Sequence, residues 1–130
     1  MRLAPPTLAT ALLLAACQAG DPLPTEADVD AARGRALFAA NCAECHSADG
    51  TGGIGPDLTG LAKAAGGTFP ETYVMATIDG MDRHGDPDAV MPEFGARDLG
   101  DTVIVEHGGL GTPVPADLLA LTTFLRDIQK

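Results

Sequence analysis

The chain is 130 residues long, enough for one domain beyond a leader and not comfortably for two. Its 18 Asp and Glu against 8 Lys and Arg give a formal net charge of −10, which argues against nucleic acid as a partner. With Lys63 and Lys130 as the only lysines, docking through a lysine-rich face is also excluded. Partners with a basic or apolar contact face fit this balance, and plain solubility is the other reading of the charge. Four Phe, one Tyr and no Trp make a thin aromatic inventory for a domain core.

In chain order, Arg2 and the apolar stretch to Ala16 have the positive start and apolar middle of a secretory signal, expected over 1–16. The stretch is too short and too proline-marked to span a bilayer. Leu14-Ala15-Ala16-Cys17 resembles the lipobox of bacterial lipoproteins, which implies lipid attachment at Cys17 and a place on the periplasmic side of a bacterial membrane. Several acyl chains would hold it there, since one alone is marginal. Cleavage after Ala19, leaving a soluble periplasmic protein, is the alternative. Residues 17–27 read as a semi-extended tether without helical or strand period.

Thr25-Glu26-Ala27-Asp28 has capping-box spacing, and Val29, Ala32, Ala36, Leu37 and Ala40 recur at helical intervals, which predicts a first helix running up to Asn41. Cys42-Ala43-Glu44-Cys45-His46 follows, a C-x-x-C-H motif read as covalent attachment of haem c. Two cysteines one helical turn apart share a face, and the adjacent His46 brings an imidazole beneath the iron. A closed zinc site would need two more ligands, and His84 and His107 lack the usual close pairing. A thioredoxin-like pair would need a βαβ setting, and a plain disulfide leaves His46 unexplained. Export fits the haem reading, and a buried porphyrin would supply the flat apolar body that the aromatic count leaves wanting.

Gly50-Thr51-Gly52-Gly53-Ile54-Gly55 has the G-x-G-x-x-G lettering of dinucleotide sites, but it follows a helix and runs into Pro56 instead of opening one. These glycines are expected to let the backbone pass close to the haem edge. A short helix is expected from Leu58 to Ala65. Thr68, Pro70 and Glu71 predict a second helix that includes Tyr73, Val74 and Ile78 and stops at Gly80. Asp82-Arg83-His84-Gly85-Asp86 reads as solvated loop. In 97–114, Thr102-Val103-Ile104-Val105 favours extended chain and His107-Gly108-Gly109 a turn; a short hairpin at about 102–112 and a solvated loop are both open. Pro115 starts a last helix with Leu118, Leu121, Leu125 and Ile128 on one face beside Phe124.

Three segments, Cys42 to His46, Gly55-Pro56-Asp57-Leu58-Thr59-Gly60, and Met91-Pro92 before a last helix, make the chain similar to the single-haem class I cytochrome c family over residues 28–130. The resemblance implies an all-α domain wrapped around one haem c, with its first and last helices crossing near Gly34 and Phe38 meeting Phe124. It implies that the Pro56 carbonyl accepts a hydrogen bond from the ring of His46. It also implies Met91 as the sixth ligand, matched at the Met-Pro pair. Met81 is the alternative, and Met75 reads as core. The expected function is electron transfer in an exported respiratory or dehydrogenase chain, with redox proteins as partners and no enzymatic activity. The alternative is a haem enzyme or small-ligand sensor with an open sixth position and a polar distal residue such as His84 or His107.

Overall fold

The computed structural model describes residues 25–107 and 109–130. The expected signal segment, Cys17 and most of the tether lie outside them. The described part is a predominantly helical domain carrying one small antiparallel hairpin.

The described residues begin with Thr25, which bridges Ile104, and a 3-10 turn over Glu26–Asp28 before α1, Ala31–Asn41. The capping box expected at Thr25 and Asp28 does not start the helix. Thr25 is held in extended pairing, and Asp30 takes the N-cap, its carboxylate accepting from the backbone N–H groups of Ala32 and Arg33. After Cys42, α2 is the single turn Ala43–His46. The short helix expected from Leu58 shrinks to α3, Leu61–Ala64. Next, α4 covers Glu71–Asp79 and ends where predicted, with Gly80 in the left-handed conformation at φ 94°. Thr68 does not cap it. Pro70 is the N-cap residue, and Glu71 faces Arg126 at 3.4 Å.

Residues 102–115 resolve the open choice in favour of a hairpin. Strands β1, Thr102–His107, and β2, Leu110–Pro115, pair antiparallel with Val103 opposite Val114. In β1, Val103 and Val105 are buried while Thr102 and Glu106 are exposed, the alternation of a sheet with one covered face, on which Val114 of β2 is also buried. Both ends of the excursion are tied together, since Ala116 N–H donates to Asp101 O (2.8 Å) and Asp117 N–H to Leu99 O (3.1 Å). The hairpin therefore grows from the start of the last helix, α5, Ala116–Asp127.

Helix α5 is the centre of the core. Leu118, Leu119, Leu121, Phe124 and Leu125 are buried, and its main partner is α1. The two cross at Gly34, where a Cβ would fall inside the Ala120 carbonyl and 2.9 Å from Phe124 Cβ. One turn on, the Phe38 and Phe124 rings meet with centroids 5.1 Å apart. The crossing expected from the family resemblance is present in these contacts. No helix among the described residues is long and apolar enough to cross a membrane.

Candidate functional site

The packed seam of α1 and α5 fixes where α1 ends, and its end carries the chemistry. Cys42 N–H donates to Phe38 O at 2.8 Å, the last bond of α1, and its own carbonyl accepts from Cys45 N–H (3.1 Å) and His46 N–H (2.9 Å). One tight turn thus holds both half-buried thiols and the imidazole. Burial pushes the Cys42 thiol above its ordinary pKa, with the charge of Arg97 opposing and Cys45 adding to the rise.

Ser47, at φ 63°, turns the chain out of α2 into a loop that folds back under it. Gly52 N–H reaches His46 O at 3.0 Å, Gly55 N–H reaches Cys45 O at 2.8 Å, and Leu58 N–H reaches Gly50 O at 2.8 Å. Asp57 closes the far side by accepting from both the N–H and hydroxyl of Thr59 at 2.7 Å, and these bonds hold its carboxyl below the usual range. The loop delivers Gly55 and Pro56 to the imidazole. A Cβ on Gly55 would stand 2.7 Å from His46 Cε1, so only glycine fits against the ring face. The glycine-rich run matters here, then, for close approach to the histidine ring, and it opens no helix.

His46 is 8% exposed, and its Nδ1 lies 2.9 Å from Pro56 O. A carbonyl can only accept, so Nδ1 donates, which leaves the lone pair of the neutral ring on Nε2. Nε2 has no hydrogen-bond partner among the described residues and is not sealed from solvent. Two free thiols and an unpartnered imidazole nitrogen carried by one turn are the donor set that haem c needs, and the residues fit that group. Among the described residues no three His, Cys, Asp or Glu side chains cluster as a metal cage.

Met91 is half-buried against the same apolar cluster that Cys42 packs on. Two arginines tie its segment down: Arg97, and Arg83, whose side chain is turned inward instead of standing in a solvated loop. Arg97 donates to Asn41 Oδ1 at 2.8 Å, joining the stretch after Met91 to the residue before Cys42, and its guanidinium lies 5.3 Å from the Phe94 ring centroid. Arg83 donates to the carbonyl of Met91 itself at 3.0 Å. Met75 lies in α4, half-buried against the core, whereas Met81 is 68% exposed. His84 is exposed and sits between carboxylates, 3.2 Å from Asp79 and 3.5 Å from Glu93.

Residues 29–106 match the profile of the family described as cytochrome c oxidase, cbb3-type, subunit III. The chain belongs to that family. The matched span includes Cys42, Cys45, His46, Pro56 and Met91, and it ends inside β1, so the α5 half of the core lies beyond it. A 34-residue stretch is also 56% identical to a "Cytochrome c-553-like" protein of Synechocystis sp. (strain ATCC 27184 / PCC 6803 / Kazusa), covering 26% of this chain and 32% of that one. The chain thus aligns with about a third of that curated relative. The similarity is to cytochrome c proteins at the level of the family, and the single-haem class I assignment is finer than it reaches.

Proposed function

We propose that this member of the cbb3-type subunit III family is an electron-transfer protein of a respiratory chain. In this reading haem c is held covalently by Cys42 and Cys45 and ligated by His46 and Met91. The observation that carries it is the His46 ring, seated on Gly55 and hydrogen-bonded to Pro56 O with Nε2 left free, at the end of the turn that carries both free cysteines. When bound, haem supplies a one-electron couple at iron. The chain's own work is to keep its ligands in one geometry in both oxidation states. His46 is held in one tautomer by Pro56, Gly55 fixes the ring plane, and the α1–α5 seam keeps the attachment turn from moving.

Residues 1–16 are proposed as the signal segment, Cys17 as a lipidated first residue, 17–27 as the tether and 28–130 as the cytochrome domain on the periplasmic face of a membrane. Mass spectrometry of the exported protein tests both attachments. The expected result is a lipidated Cys17 at the N-terminus and one haem on the peptide containing Cys42 and Cys45. A mature chain beginning at Gly20 would contradict the anchor, and haem extracted intact by acidified solvent would contradict the thioethers.

The charge of −10 supports redox partners with a basic face. Electron transfer to the physiological partner is therefore expected to slow severalfold between about 10 mM and 0.2 M salt, as the Debye length falls from roughly 30 Å to under 10 Å. A flat or rising rate in stopped-flow measurements would assign docking to an apolar face instead.

A second reading, a haem enzyme or small-ligand sensor with an open sixth position, shares everything up to His46. The sixth position alone separates the two readings, since the contacts of the His46 ring with Gly55 and Pro56 are common to both.

A further inference from the structure

We propose that Arg83 is a positioning residue for Met91, clamping the loop that carries this ligand onto the C-terminal end of α4; the inference rests on the reading of Met91 as the sixth ligand.

Arg83 lies in the most charged run of the chain, yet its side chain is only 14% exposed. Nε donates to Met91 O at 3.0 Å, Nη2 to Thr77 O and, at 3.4 Å, to Pro92 O, and Nη1 to the Asp82 carboxylate at 3.1 Å. One guanidinium thus joins a carbonyl of the last turn of α4 to the two successive carbonyls of the Met91-Pro92 pair. Besides the packing of Met91 on the apolar cluster, few backbone bonds hold the loop there. Pro92 has no N–H, and no backbone N–H of residues 90–93 bonds to another backbone group among the described residues. The backbone ladder resumes only at Phe94 N–H to Ile78 O (3.2 Å) and Gly95 N–H to Asp79 O (2.8 Å). Glu93 adds a tie by accepting from Gly85 N–H at 3.2 Å.

A rigid fork of donors suits this task where a lysine would not, because one ammonium cannot reach three carbonyls in fixed directions. The guanidinium keeps its charge at every working pH. Its place at a helix C-terminus, where unpaired carbonyls concentrate negative partial charge, favours it further.

Binding of free imidazole to the ferric holoprotein reads this clamp directly. Imidazole reaches the iron only when Met91 has left, so its apparent affinity is scaled by the fraction of protein with the loop released. Arg83→Gln is expected to raise that affinity about ten- to a hundredfold, the range set by losing a charge-assisted hydrogen bond. Arg83→Lys should fall between it and the wild type. Asp30→Ala, which removes the α1 cap far from this loop, should leave the affinity unchanged. In a Met91→Ala background Arg83→Gln should add nothing.

If Met91→Ala raises imidazole affinity while Arg83→Gln and Arg83→Lys do not, the clamp is wrong and the ligand assignment stands. An Arg83→Gln effect that persists in the Met91→Ala background also overturns the clamp. If Met91→Ala itself changes nothing, both fail. Should Arg83→Gln not fold, Arg83→Lys carries the same comparison.

Discussion

Replacing Phe124 with alanine is expected to destabilise the holoprotein by about 3–5 kcal/mol, read as a lower urea midpoint at unchanged slope. The ring is 2% exposed, stacks at a tilt of 48° on Phe38 and has the Arg35 guanidinium 5.2 Å from its centroid. Collapse cannot fill the hole, because α1 and α5 already touch at Gly34 and can come no closer. Since α1 ends in the attachment turn, the same change should broaden the haem absorption bands before the protein unfolds. A loss under about 1 kcal/mol, the level of ordinary surface changes, would mean that the seam does not support the site.

Met91→Ala has the largest expected functional effect. A thioether ligand stabilises ferrous iron, so its loss should lower the potential by on the order of 0.1–0.3 V, within the roughly 0.8 V that axial ligation spans. The weak thioether-to-iron band at the red end of the ferric spectrum should vanish, and the reduced iron should bind carbon monoxide. If these properties survive and disappear instead with Met81→Ala, the ligand is Met81, whose side chain would have to leave solvent to reach iron. If neither replacement matters, the sixth position was open from the start.

The parts of this molecule that were legible in its sequence are those set by neighbours along the chain. Cys42, Cys45 and His46 share one turn because their spacing puts them there, and the leucines of α5 face inward because they recur at the helical period. Gly80 ends α4 for a local reason, its left-handed backbone. Elsewhere the outcome was settled by residues far off in sequence. Asp82-Arg83-His84 reads as solvated loop, and only the carbonyls of Thr77, Met91 and Pro92 draw Arg83 inward. Arg97 finds Asn41 across 56 positions. The cap of α1 falls to Asp30, while Thr25 bridges Ile104 far off in sequence. The hairpin was undecidable from Thr102 to Val105 alone, since its covered face depends on the core around α5.

The proposed seating of His46 and Met91 amounts to a claim that both axial positions are filled by the protein in either oxidation state. An absorption spectrum of the reduced wild-type protein, taken with and without saturating carbon monoxide at neutral pH, tests this most directly. The two spectra should superimpose, as they do for an iron closed by two protein ligands. A shifted and sharpened Soret band on adding carbon monoxide would show an open sixth position and contradict the account of this protein as an electron carrier.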